Sequence, residues 1–242
     1  MNWAQSTYDL SGSKLHVTRA GKGKPVLVLH HETGTLDRLP FYDALAAKYD
    51  VLVPHHPGFS RSQRPDWMRS VRDIAVAYRG LLASLKIKEV SLVGLGFGGW
   101  IAAEMASMAP ADVSKLVLVG AMGIKPPHGD KGGDILDLAI TGYVDYARAG
   151  FHDQKAFDAV YGAEPSGDQL EMWDICREMS FRIAWKPYMY SQTLPHLLGA
   201  VKAPALIVWG DDDKVVPLSA GRRNLEALPD ARLETIRACG HC

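Results

Sequence analysis

Three short segments gather residues that can do chemistry, and each follows an apolar run of strand length. Gly94-Leu95-Gly96-Phe97-Gly98-Gly99 joins the run Val90–Val93 to a helical stretch. Trp209-Gly210-Asp211-Asp212-Asp213 places carboxylates after Ala205–Trp209, and Cys239-Gly240-His241-Cys242 puts an imidazole after Arg232–Ile236. Small residues around one position are what a sharp strand-to-helix turn needs, because neighbouring Cβ atoms would collide there. Gly94, Gly96 and Gly99 also satisfy the G-x-G-x-x-G spacing of a dinucleotide site. Such a site belongs in the first βα turn, with an acidic residue ending the next strand. Here the unit comes late and the next strand ends in Val119-Gly120-Ala121, so no nucleotide cofactor is expected.

Two further groupings invite a chemical reading and lose it to a simpler one. His30, His31, His55 and His56 stand as adjacent pairs at two strand ends, and Glu32 adds a carboxylate. Neighbours on a strand point to opposite faces, so at most one of each pair could meet a common ion. Packing and hydrogen bonding are their expected roles, and no metal is assigned. Cys239 and Cys242 have the C-x-x-C redox spacing. That chemistry needs a helix starting at the motif to acidify the first thiol, and none follows here. Three cysteines without framework spacing fit a reducing compartment, and a cytoplasmic location is expected.

The elements that must position these segments follow from hydrophobic pattern. Leu15–Arg19, Pro25–His30, Val51–Val53, Val90–Val93 and Leu116–Val119 read as strands. Leu39–Lys48, Val71–Leu85 and Phe97–Ala109 read as helices between them. The continuous apolar character of the strands points to a parallel sheet with helices on both faces. From Gly123 to about Gly199 the composition turns to Gly, Pro, Met and aromatics with no apolar strand run. Alternation resumes with strand Ala205–Trp209, helix Ser219–Leu228 and strand Arg232–Ile236. One α/β domain, residues 1–122 and 200–242, therefore carries a mostly helical insertion, residues 123–199, over the carboxyl ends of the strands.

Taken in order, these features resemble the α/β-hydrolase superfamily over essentially the whole chain, in particular its cap-bearing members (epoxide hydrolases, haloalkane dehalogenases and C–C hydrolases). The match runs through His30-His31-Glu32-Thr33-Gly34, Pro57-Gly58-Phe59-Ser60-Arg61-Ser62, the glycine-rich elbow, the cap-like insertion and the acid-then-histidine order at the end. The resemblance implies an α/β-hydrolase fold with Asp213 as the acid, His241 as the base, and an oxyanion hole from the backbone N–H groups of Glu32 and Phe97. It also implies a final helix after the histidine. The chain stops one residue past His241, so one sheet face is expected to be bare and His241 to lie on a frayed end.

The departures matter as much. G-x-S-x-G reads Gly94-Leu95-Gly96-Phe97-Gly98, and a glycine cannot form a covalent intermediate. His31 and His55 replace a usual glycine and aspartate. The expected chemistry is acid–base catalysis by the His241–Asp213 dyad on a small organic molecule, with a water or substrate group where the serine side chain is missing. Glu32, expected near the pocket mouth, is a second acid–base candidate. In the insertion, Arg182, Trp185 and Tyr188 are candidates for substrate contact, and Arg182 with Lys186 could meet an anion. The rival reading is a non-catalytic ligand binder or receptor that kept the pocket, with Asp213 and His241 as a self-satisfied pair.

Bulk properties narrow the partners. The 242 residues hold 27 Lys and Arg against 27 Asp and Glu, so no global field recruits nucleic acid or an anionic membrane. No apolar run approaches bilayer length, and residues 1–10 lack a signal-peptide pattern. A small-molecule substrate is expected, without nucleic acid, membrane or cofactor; a homodimer is compatible with the sequence.

Overall fold

A computed structural model describes residues 2–130 and 132–242. Its strands are β1 (Ala4–Leu10), β2 (Ser13–Ala20), β3 (Pro25–Leu29), β4 (Asp50–Pro54), β5 (Val90–Leu95), β6 (Val113–Val119), β7 (Ala205–Gly210) and β8 (Ala231–Ile236). They form one sheet in the order β1-β2-β4-β3-β5-β6-β7-β8. The first two pairings, β1–β2 and β2–β4, are antiparallel and the other five parallel. β1 is not legible as a strand because its residues are polar and mostly exposed. An antiparallel edge strand needs only backbone pairing with β2, not an apolar face.

The helices are α1 (Pro40–Ala46), α2 (Val71–Ser84), α3 (Phe97–Met108), α4 (Tyr143–Ala149), α5 (Gln154–Tyr161), α6 (Gly167–Ala184), α7 (Leu194–Leu197) and α8 (Leu218–Ala227). α2 starts on a capping box between Ser70 and Asp73 and buries Ile74, Tyr78 and Leu81. Every residue of α3 from Phe97 to Ala106 is buried, as befits a helix apolar all round. With α2 and α8 it covers the sheet face built from Leu27, Leu29, Leu92, Leu116, Leu118 and Ile207. On the other face α1 covers only Val26, Val28, Val51 and Val53 through Tyr42 and Ala46. Beside it runs a groove of about 850 Å³ lined by Val93, Val117, Val119, Phe41 and Tyr161.

α4 to α7 all fall between β6 and β7. Phe151, Phe157 and Trp173 form a small apolar cluster of their own there. α6 also reaches the sheet: Met179 and Cys176 pack where side chains at Gly58 and Gly34 would otherwise stand. That contact seats the helical segment on the loops after β3 and β4.

A very close backbone approach lies under the elbow. A Cβ on Gly98 would strike the carbonyls of Leu29 and His30 at the end of β3, and Gly98 N–H donates to His30 O at 2.9 Å. Gly98→Ala must therefore push α3 off the sheet. The expected result is destabilisation on the order of 4 kcal/mol or more, read as a collapse of the thermal midpoint or loss of soluble protein. A wild-type midpoint would show that this approach does not hold the elbow.

Candidate active site

The elbow places Gly96 between β5 and α3 with φ of 51° and ψ of −114°, a backbone conformation that a side chain strains. Gly96 N–H donates to Val119 O, and Gly96 O accepts from Gly99 and Met122, so the turn is fixed on three sides. The missing side chain would have pointed into a cluster. A Cβ at position 96 would lie 2.5 Å from His31 Nδ1, 2.7 Å from Glu32 Oε2 and 2.9 Å from His241 Nε2.

Asp213 and His241 meet across the ends of β7 and β8. His241 Nδ1 lies 2.8 Å from Asp213 Oδ2, and the other carboxylate oxygen accepts from the backbone N–H of Val215 and Val216. These bonds fix the imidazole so that Nε2 faces Gly96. Its residue is 3% exposed, so the chain end is not frayed at this point. Cys242 N–H donates to Gly150 O at 2.8 Å, and Gly240 sits against Gly150 and Phe151. The helical segment thus clamps the terminus that the sequence leaves without an anchor.

Glu32 is the main surprise. Its side chain turns inward instead of standing at a pocket mouth and is 1% exposed. Oε2 accepts from Phe97 N–H at 3.3 Å, and Oε1 accepts from Tyr146 OH at 3.0 Å. The first turn of α3, which the family resemblance makes an oxyanion donor, therefore already holds a carboxylate. This is the favourable end of a helix for a negative charge. Ser180 from α6 donates to Glu32 O at 3.4 Å, so two of the helices between β6 and β7 contribute to the site.

Electrostatics follow from burial and pairing. Burial alone would depress His241, but the Asp213 charge and hydrogen bond, with Glu32 behind them, raise it to about 10. Burial would raise Glu32, yet His241 and His31 bring it to about 2. Burial and the neighbouring His241 lower His31 to about 4. The cluster is thus an imidazolium between two carboxylates, with a neutral imidazole alongside. His241 Nε2 and Glu32 Oε1 are 3.7 Å apart, too far for a hydrogen bond. Neither His241 Nε2 nor His31 Nδ1 has a partner, although both are buried.

The other candidates find different surroundings. His30 Nδ1 bonds His31 O and its Nε2 accepts from His56 N–H, while His56 bonds Tyr78 OH and His30 O. Both rings are fully used, stacked with centroids 3.7 Å apart. Arg182 donates to Asp66 O, Trp185 is exposed, and Tyr188 OH bonds the backbone of Leu136 and Leu138. Arg182 Nη2 and Tyr188 OH are thus engaged by the protein itself, while Arg182 Nε is buried without a partner. Tyr146, which sequence reasoning missed, carries no local signal beyond being one aromatic among many in the insertion. Cys239 and Cys242 are free thiols.

A family model described as the alpha/beta hydrolase fold matches residues 24–242. The chain belongs to the α/β hydrolase family. This α/β hydrolase is similar to a 2-hydroxy-6-oxononadienedioate/2-hydroxy-6-oxononatrienedioate hydrolase of Paraburkholderia phymatum, 30% identical over 94% of this chain and 84% of that protein. It is likewise similar to a 2-hydroxy-6-oxo-6-phenylhexa-2,4-dienoate hydrolase of Comamonas testosteroni, 28% identical over 98% of this chain and 87% of that one. Its fold matches a meta-cleavage product hydrolase from Pseudomonas fluorescens IP01 with a TM-score of 0.76 at 23% identity, over 98% of this chain and 90% of the other.

Two predictions follow from this α/β hydrolase's geometry. Restoring the family nucleophile by Gly96→Ser alone should give no esterase, because the new Cβ meets His31, Glu32 and His241. Adding Glu32→Ala to that variant should open the space and the Phe97 N–H, and p-nitrophenyl acetate turnover should then rise. Equal esterase in both variants would contradict this. Separately, burial lowers His56 from 6.5 to about 3. The unfolded chain therefore takes up more protons, and its stabilising share is complete above pH 6.5 and lost as pH falls toward 3. Thermal midpoints should begin to drop just below pH 6.5; a flat profile down to pH 5 would refute the buried neutral ring.

Proposed function

We propose that this chain is a hydrolase that cleaves a small organic molecule beside a carbonyl, with water attacking from the space next to Gly96 instead of a side chain. The observation that carries this reading is the convergence of His31 Nδ1, Glu32 Oε2 and His241 Nε2 on that space. A serine enzyme of this fold keeps its nucleophile at this point. Here the groups that would activate it remain, and only the nucleophile is lacking.

His241, oriented by Asp213, is the proton-transfer group, and Glu32 is the carboxylate that faces it across the reacting position. Dry surroundings strengthen both roles, because each charge is screened little by solvent. The reaction needs no acyl-enzyme: water adds to the carbonyl carbon and passes a proton to the Glu32 carboxylate, the His241 imidazolium gives its proton to the leaving fragment as that bond breaks, and the proton on Glu32 then returns to His241. Relatives named for 2-hydroxy-6-oxo-dienoates make such dienoates the first substrates to assay, with simple esters beside them.

A binding-only reading draws on one observation, the occupied Phe97 N–H. A ligand carbonyl can use it only after Glu32 shifts. The two readings separate by turnover. The expected outcome is dienoate cleavage that His241→Ala and Glu32→Gln each reduce by roughly 100-fold or more in kcat/KM, with no inactivation by a serine-directed phosphonate. Thermal stabilisation by dienoates with no turnover would replace the hydrolase with a binder. Inactivation by the phosphonate would overturn the water-attack reading.

A further inference from the structure

We propose that His31 Nδ1, the Glu32 carboxylate and His241 Nε2 form a binding site for one divalent transition ion of the zinc class, beside Gly96. The proposal rests on the reading that water attacks here; when the ion binds, His241 Nε2 releases its proton to solvent and becomes a ligand, and the ion takes over the activation of that water.

The donors carry the argument. One ligand atom from each residue lies within 4.8 Å of the others. Two of them, His31 Nδ1 and His241 Nε2, are buried without any hydrogen-bond partner. Leaving such groups unmatched costs on the order of 1–3 kcal/mol each, and an ion would satisfy both at once. The three donors crowd the Cβ position of residue 96, at 2.5, 2.7 and 2.9 Å, so all of them face the same side of the elbow. An ion with arms of about 2.1 Å sits between the donors and farther from the elbow than that Cβ position, which is a bond length from Gly96 Cα. Any residue other than glycine at 96 would press on all three donors.

The surroundings resemble a metal site's outer shell. Asp213 binds the far nitrogen of His241, which fixes the tautomer that presents Nε2, as carboxylates commonly do for metal-bound histidines. Tyr146 OH and Phe97 N–H steady the Glu32 carboxylate. Two imidazoles and one carboxylate suit zinc and its first-row neighbours; calcium and magnesium want more oxygens. A dication also balances the charges of Glu32 and Asp213, two buried carboxylates that otherwise share one imidazolium.

A second grouping, His16, Asp37 and His55, satisfies the same proximity and also holds unpartnered nitrogens, but a guanidinium already sits on its one carboxylate. Arg61 Nη1 lies 2.7 Å from Asp37 Oδ2, and His55 Nε2 lies 3.2 Å from Asp37 Oδ1. His30 and His56 have no free nitrogen, as described above.

The test uses the full chain, treated with EDTA, dialysed and titrated with CoCl2, then with ZnCl2. The expected result is one Co2+ per chain with the visible absorption of a low-coordinate nitrogen–oxygen site, displaced by Zn2+. His31→Leu and Glu32→Gln should each weaken Co2+ binding by roughly 10- to 100-fold, with circular dichroism showing that they fold. Binding should persist in His55→Gln and in the Cys239→Ser/Cys242→Ser double variant. Absence of stoichiometric Co2+ binding to the wild type overturns the proposal, as does binding that ignores His31 and Glu32 or disappears with His55 or the two cysteines. If metal binding fails while Glu32→Gln and His241→Ala still abolish turnover, the ion is refuted and the water-attack reading stands.

Discussion

The structure around the site depends on a single buried charge, the Glu32 carboxylate at the first turn of α3. Carrying an ionised group out of water costs several kcal/mol unless partners replace the lost hydration. Here the replacement comes from Phe97 N–H, Tyr146 OH and the nearby imidazole of His241, whose proton is in turn secured by Asp213. Remove any of these and the carboxylate is stranded. The glycine at position 96 belongs to the same constraint, because a side chain there would compete with Glu32 for one volume.

This explains why elements far apart in sequence have to meet. β3 delivers His31 and Glu32, β5 and α3 deliver the elbow, β7 and β8 deliver the dyad, and α4 and α6 close the site with Tyr146 and Ser180. The helical segment between β6 and β7 is thus part of the charge compensation as well as a cover. It also ties down the chain near His241 through Gly150.

Much of this was legible in the sequence, and the reasons are specific. The central strands are apolar runs buried on both sides, so Pro25–Leu29 and Ala205–Gly210 declare themselves. The elbow shows through its glycines, since close backbone approach leaves few alternatives at Gly94 and Gly98. Asp213 and His241 come from order along the chain. The inward turn of Glu32 was not legible, because a loop glutamate reads as solvated and its burial depends on partners 65 and 114 residues away. The one hint was Gly96 itself: a lost side chain implies that something else takes its volume. β1 stayed hidden for the opposite reason, as its stability needs no apolar signal.

Everything at the site turns on the Glu32 carboxylate sitting on the first turn of α3 beside Gly96. An atomic-resolution crystal structure of the protein near pH 7 decides whether it does. Glu32 Oε2 should lie on Phe97 N–H and Oε1 on Tyr146 OH, with density between His31 Nδ1 and His241 Nε2 beside Gly96. A Glu32 side chain turned out to solvent, with Phe97 N–H open to the pocket, would contradict it.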